Sequence, residues 1–138
     1  MRTIPTIEAG TAVYEKQDDE QSTYAKMINK SDGMTDFAEA ADVLERKIRA
    51  YYEWPTLYSY LDGQQVKFYK AEALINLEPD GEPGTVSEIG KNYYVVNCNE
   101  GKLVIIEQQL QGKKRMSAGD FMRGHKLDIG DRFCAEEV

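Results

Sequence analysis

Leu57-Tyr58-Ser59-Tyr60-Leu61-Asp62-Gly63-Gln64-Gln65-Val66-Lys67-Phe68 is the stretch on which the fold reading turns. Asp-Gly is the pair that a two-residue type I′ turn prefers, because both central residues take positive φ. The flanking runs, Leu57–Leu61 and Gln64–Leu74, are predicted to form an antiparallel hairpin. Working outward, Glu82-Pro83-Gly84 reads as a turn into a strand through Val86 to Ile89. Gly90-Lys91 turns into Tyr93–Cys98, and Asn99-Glu100-Gly101 closes a hairpin onto Lys102–Leu110. Five strands at such short spacing predict a small barrel, closed or partly open. Tyr58 and Tyr60 share one strand face, as do Val66 and Phe68. Inward packing explains that alternation without a base-stacking role.

Two helices flank the strands. Phe37, Ala41, Leu44, Ile48 and Tyr51 follow 4-3-4-3 spacing, the stripe of an amphipathic helix over about 37–51. Asp36 is its expected N-cap, with Glu39 completing a capping box. Arg46, Lys47 and Arg49 suit its C-terminal end, and Trp54-Pro55 stops it. Ser117 with Asp120 marks the start of a second helix that Gly124 ends. Leu127, Ile129 and Phe133 are expected to return the chain to the barrel. Residues 1–35 hold only scattered apolar side chains and the fully polar run Glu15–Ser22. They read as an extended linker arm, with a helical remnant ending at Gly10, that lies on something else. The resulting fold class is mainly β with two short-to-medium helices, α+β, over residues 36–138.

The chain has 138 residues and a net charge of −7, from 17 Lys plus Arg against 24 Asp plus Glu. That length suits one domain with a core that needs neither metal nor disulfides. With 41% apolar and 30% charged residues, it reads as a globular rather than a disordered chain. No apolar run approaches the ~18 residues of a membrane helix, and the polar, acidic start is no secretory signal. The charge is unevenly spread. Residues 1–45 carry ten acids against four bases, whereas residues 111–126 carry five bases against one acid. An acidic front therefore precedes a basic patch, the kind of face that phosphate binding needs.

Catalytic equipment is missing from the sequence. His125 is the only histidine, and its place after a helix end suits a structural or solvent-facing role rather than a general base. There is no GxGxxG and no phosphate-binding P-loop, since Gly81, Gly84 and Gly90 each sit in a turn. Asp18-Asp19 lies in the polar arm, where solvation is the plain reading. Cys98 and Cys134 lack metal or redox spacing and fit a reducing cytoplasm. No metal-ligand set is visible. The loop Lys113-Lys114-Arg115, with Arg123 and Lys126 close behind, could hold an RNA backbone, although three cations also suit an ordinary charged turn. Lys67, Lys70, Arg46 and Arg49 would widen the patch if the fold brought them to one side.

Gly112-Lys113-Lys114-Arg115-Met116-Ser117-Ala118-Gly119-Asp120-Phe121-Met122-Arg123-Gly124-His125 resembles the closing segment of the methionyl-tRNA formyltransferase family. Ile48-Arg49-Ala50 with Trp54-Pro55, Lys70-Ala71-Glu72 and Pro83-Gly84-Thr85-Val86 resemble it too. Ile7-Glu8-Ala9-Gly10-Thr11-Ala12, Gln17-Asp18-Asp19-Glu20 and Thr23-Tyr24-Ala25 look like the end of that family's first domain and its linker. The likeness runs in order from about residue 4 to 133. It implies a C-terminal, OB-like β-barrel joined to a separate catalytic domain that binds 10-formyltetrahydrofolate and performs the transfer. No motif of that domain occurs here, so no catalytic residue carries over and this chain alone is expected to be inactive.

The resemblance also implies a partner, the initiator Met-tRNA of cytoplasmic translation initiation, held by a basic channel. By position, Lys30, Lys113, Lys114, Arg115, Arg123 and Lys126 match that channel. The chain departs from the pattern at Met27 and Met34, where the family commonly carries Lys and Arg. It departs again at Tyr52-Glu53, where Asn-Pro is usual, and at Phe37, where Trp follows Asp36. Fewer cations and an added acid lower the positive field. They motivate an alternative expectation, an accessory domain of a related formyltransferase acting on sugar nucleotides, without nucleic-acid binding.

Overall fold

A computed structural model describes residues 3–135. Its strands are β1 (Leu57–Leu61), β2 (Gln64–Leu74), β3 (Val86–Ile89), β4 (Tyr94–Asn97), β5 (Lys102–Leu110) and β6 (Met116–Ser117). Its helices are α1 (Thr3–Glu8), α2 (Ala41–Ala50) and α3 (Ala118–Gly124). The domain is mainly β with helices, an α+β arrangement. Asp62 and Gly63 take φ of 50° and 74°, as the type I′ turn requires, and Leu57 pairs with Phe68 across the hairpin. The bounds of β1, β2, β3 and β5 coincide with those read from sequence, because turn chemistry sets them locally.

The sheet is open rather than a closed barrel. Its antiparallel order is β1-β2-β5-β4-β3, with β6 added to β5, leaving β1 and β3 as edges that do not pair with each other. The segment 130–134 spans the seam. Phe133 N–H donates to the Gly84 carbonyl at 2.8 Å, and Val86 N–H donates to the Asp131 carbonyl at 2.8 Å. One residue after Phe133, Cys134 and Tyr60 exchange backbone hydrogen bonds of 2.9 Å. Edge strands with unpaired amides invite pairing with other chains, and this tail occupies both edges at once. Gly84 has φ of 87°, and a Cβ there would lie 2.4 Å from the Phe133 carbonyl oxygen, so glycine permits both the turn and the close approach.

The tail also delivers Phe133 to the core. Its ring lies 5.6 Å from Phe68, 5.7 Å from Phe37 and 6.0 Å from Tyr94, spacings at which aromatic rings attract. Leu127 is likewise buried, but Ile129 is 68% exposed and does not return to the core. It stands in the tight turn 128–131, closed by Asp131 N–H donating to the Asp128 carbonyl, which points it to solvent.

Helix α2 begins four residues later than its hydrophobic stripe predicts. Phe37 has φ of 64°, outside the helical region, and Ala40 is the N-cap with no side-chain cap bond. Asp36 instead accepts from the Ala38 N–H at 3.0 Å, and Glu39 pairs with Lys47 rather than forming a capping box. The physical cause is the β4–β5 hairpin. Asn99 N–H donates to the Phe37 carbonyl at 3.0 Å, and Ala41 N–H donates to the Glu100 carbonyl at 2.9 Å. A neighbouring carbonyl thus satisfies the first helical N–H, the job the cap was expected to do. Phe37, Ala41, Leu44 and Ile48 nonetheless pack in the core as one stripe, whereas Tyr51 is only half-buried.

Residues 3–32 are exposed save for half-buried Ala12. The expected helical remnant is α1, and Gly10 turns away from it with φ of 68°. The chain joins the sheet at Thr35, whose N–H donates to the Tyr58 carbonyl at 2.9 Å. Among the described residues, no helix is long and apolar enough to cross a membrane.

Candidate nucleic-acid interface

The basic loop is the tip of the β5–β6 hairpin. Gly112 turns it with φ of 74°, and Ser117 of β6 pairs back to Glu107 of β5. Two bonds pin the tip: Lys113 N–H donates to the Leu110 carbonyl at 2.9 Å, and the Gln109 side-chain amide donates to the Lys113 carbonyl at 2.8 Å. The main chain is therefore held while the lysine side chains project. Lys113 and Lys114 are exposed, and neither has a carboxylate within 4.0 Å among the described residues.

Arg115 behaves differently. Its guanidinium lies over the rings of Tyr69 and Tyr52, 4.7 Å and 5.1 Å from their centres, and those two rings meet edge to face. It also donates to the Tyr52 hydroxyl and to Glu107, the latter at 2.9 Å through Nε. The Tyr52 hydroxyl and then the Glu107 carboxylate raise its pKa above the ordinary guanidinium value. A planar cation stacked on two rings and tied to a carboxylate is a structural element. Nothing in the sequence announces it, because Tyr52 and Tyr69 are 63 and 46 positions away.

The remaining candidate cations divide in the same way. Arg123 on α3 pairs with Asp120, and Lys126 pairs with Asp128 at 2.8 Å. The Ser117 hydroxyl and then Arg123 hold the Asp120 carboxyl below its usual range. Ser117 is also the N-cap of α3, accepting from the Asp120 N–H, so the expected capping pair is present. Lys30 opens a short 3-10 turn, Lys30–Gly33, on the arm and is exposed. That arm reaches the sheet at β1, two strands from β5.

Of the cations considered for widening the patch, Lys67 faces outward beside the loop. It lines a shallow groove of about 150 Å³ with Gln65, Gln109, Gln111 and Gly112. Arg46 and Arg49 pair with Asp42 and Glu45 along α2 and line a different surface with Glu72 and Ile75. The outward face also holds a correction. Leu57 and Ser59 pair with Phe68 and Val66 on the core side, so Tyr58 and Tyr60 lie on the opposite face of the sheet, where Tyr58 is buried and Tyr60 half-buried. Their rings meet edge to face at 6.0 Å outside the core cluster.

No group of three or more His, Cys, Asp or Glu able to hold a metal ion occurs among the described residues. His125 caps the C-terminal end of α3, and its ring lies parallel to that of Phe121 at 5.0 Å. Its Nε2 is shut from solvent, 3.9 Å from the Asp62 carboxylate and too far for a hydrogen bond. The stacked ring and the enclosed Nε2 suit packing.

The sequence profile of the family described as formyl transferase, C-terminal domain, matches residues 27–126. A methionyl-tRNA formyltransferase of Lachnospira eligens is 42% identical over 134 residues, covering 94% of this chain and 42% of the relative. One from Geotalea daltonii is 40% identical over 128 residues, with coverages of 93% and 40%. The chain thus spans about two-fifths of the length of these relatives. A crystal structure of HypX from Aquifex aeolicus in complex with tetrahydrofolic acid aligns with 92% of this chain and 25% of its own. Its TM-score is 0.57 at 17% identity, a likeness of fold.

Proposed function

The chain belongs to the formyl transferase C-terminal domain family, and from that premise we propose that it is the tRNA-binding portion of a methionyl-tRNA formyltransferase. Residues 1–35 serve as the linker arm and 36–138 as the C-terminal domain. The catalytic domain, with its 10-formyltetrahydrofolate, lies in the part of the relatives that this chain does not span. This portion performs no transfer in the proposal. It positions initiator Met-tRNA in the cytoplasm for formylation.

The observation that carries the reading is the pair of lysines without a carboxylate neighbour among the described residues, Lys113 and Lys114, on a hairpin tip whose backbone is pinned at Lys113. Cations that stand clear of carboxylates release bound counterions from phosphates at full effect, whereas paired ones must first give up a partner. Lys67, beside the groove that runs to Gly112, extends the same field, and Lys30 would add to it from the arm. Fluorescence titration of initiator tRNA across a salt series tests the reading. Affinity should fall steeply with salt. Binding that is absent at low salt, or indifferent to it, refutes the proposal.

A second reading draws on the pairing of Arg115, Arg123 and Lys126 with acids. An accessory domain that supports a formyltransferase without touching nucleic acid would show this internal neutralisation. It requires that the chain fail to bind tRNA at low salt, so the same titration separates the two.

A further inference from the structure

Between the basic loop and α3 lies a pocket of about 260 Å³. Leu110 and Phe121 are buried and Met116 half-buried, giving it an apolar floor. Lys113 and Asp120 stand exposed at its rim, and the last turn of α3 forms the remaining wall. The parallel rings of Phe121 and His125 belong to that wall. Gly124 lines it without a side chain, and a Cβ there would meet nothing within 4 Å. Small-molecule sites begin at roughly 300 Å³, so this volume suits one planar ring system rather than a larger ligand.

We infer that this pocket receives a single unpaired nucleobase of the RNA whose phosphates Lys113 and Lys114 hold. The inference rests on the tRNA reading above and deepens it. Three features of the chemistry agree. Lys113 both lines the pocket and begins the cation pair, so base and phosphate contacts fall within reach of one nucleotide. An apolar floor beside the His125 ring is a surface on which an unstacked base gains, whatever its identity. Asp120 selects against the alternative occupant. Its carboxylate, bonded to Ser117 and Arg123, would repel a phosphate, whereas a neutral base offers it amino or imino hydrogens. Bases inside a stem are paired and stacked, which restricts the pocket to loops and single-stranded ends.

The test compares a hairpin RNA bearing an unpaired loop with a blunt duplex of equal length, binding each to the full 138-residue chain at low salt. Gly124→Leu fills the pocket and keeps every cation; Gly124→Ala leaves the pocket open and serves as its control. The parent and Gly124→Ala should prefer the loop RNA by about tenfold, the scale of one stacked base. Gly124→Leu should lose that preference while keeping its duplex affinity and salt slope. Ring proton signals of His125, the single histidine, should shift with loop RNA in the parent and stay still in Gly124→Leu. A parent without loop preference, a preference that survives Gly124→Leu, or an equal loss for both RNAs in either variant overturns the pocket assignment and leaves the electrostatic reading standing. A parent that binds neither RNA overturns both.

Discussion

Replacing Lys113 and Lys114 by Ala is the perturbation that separates working cations from structural ones. Each phosphate contact contributes roughly 0.7 to 0.9 to the slope of log affinity against log salt, so losing two lowers it by about 1.4 to 1.8. Between 50 and 200 mM salt, a fourfold change, the parent should then lose about tenfold more affinity than the double variant. Thermal unfolding should stay unchanged, because neither side chain has a carboxylate partner among the described residues. Arg115→Ala should do the reverse. Its guanidinium sits between Tyr52, Tyr69 and Glu107, so its loss removes a partly exposed cation–π contact of roughly 0.5–1 kcal/mol. That amounts to a few degrees in Tm for a chain of this size, with the salt slope kept. The assay is fluorescence titration of tRNA at five salt concentrations, paired with a thermal melt of each variant. Equal flattening of the slope by Arg115→Ala with an unchanged melt would refute the division.

Four further outcomes follow from the packing and the charges. Phe133→Ala should cost about 3–5 kcal/mol in urea unfolding, since it empties the junction of Phe37, Phe68 and Tyr94 and frees the tail from the seam. Ile129→Ala, at an exposed site four residues earlier, should stay within about 0.5 kcal/mol. Ser117→Ala should return the Asp120 carboxyl toward its ordinary pKa, read by NMR titration, because the Ser117 hydroxyl is the first cause of its depression. A folded pKa below the unfolded one contributes stability that is full above the ordinary carboxylate range and lost as pH falls through the depressed value. The variant should therefore lose the Ser117 part of that contribution at neutral pH and above, where it is full, together with about 1 kcal/mol of helix cap, and should differ less from the parent in acid. The Cys98 thiol is pushed up to about 12 by burial, so its alkylation at pH 8, followed by peptide mass spectrometry, should await unfolding.

What could be read without the fold were features decided within a few residues. Asp62-Gly63 makes its turn because two adjacent residues tolerate positive φ, and Ser117 caps α3 because its hydroxyl reaches an N–H three residues on. The strand limits followed from such turns, and the basic loop was visible as a local excess of charge. Tertiary contacts decided the rest. The capping box at Asp36 lost to a hydrogen bond donated by the Asn99 N–H and one accepted by the Glu100 carbonyl, 59 or more positions away. Tyr58 and Tyr60 took the opposite face of the sheet because register with Val66 and Phe68 assigns the core face to Leu57 and Ser59, a choice alternation alone leaves open. Segment 130–134 joins two edges whose positions exist only once the sheet has formed. Arg115 differs from Lys113 and Lys114 for the same reason: adjacent cations share a sequence, but only one meets a carboxylate of β5, a ring of β2 and a ring from the turn after α2. Charge is a property of the chain, whereas the freedom to offer that charge to a ligand depends on what the fold places beside it.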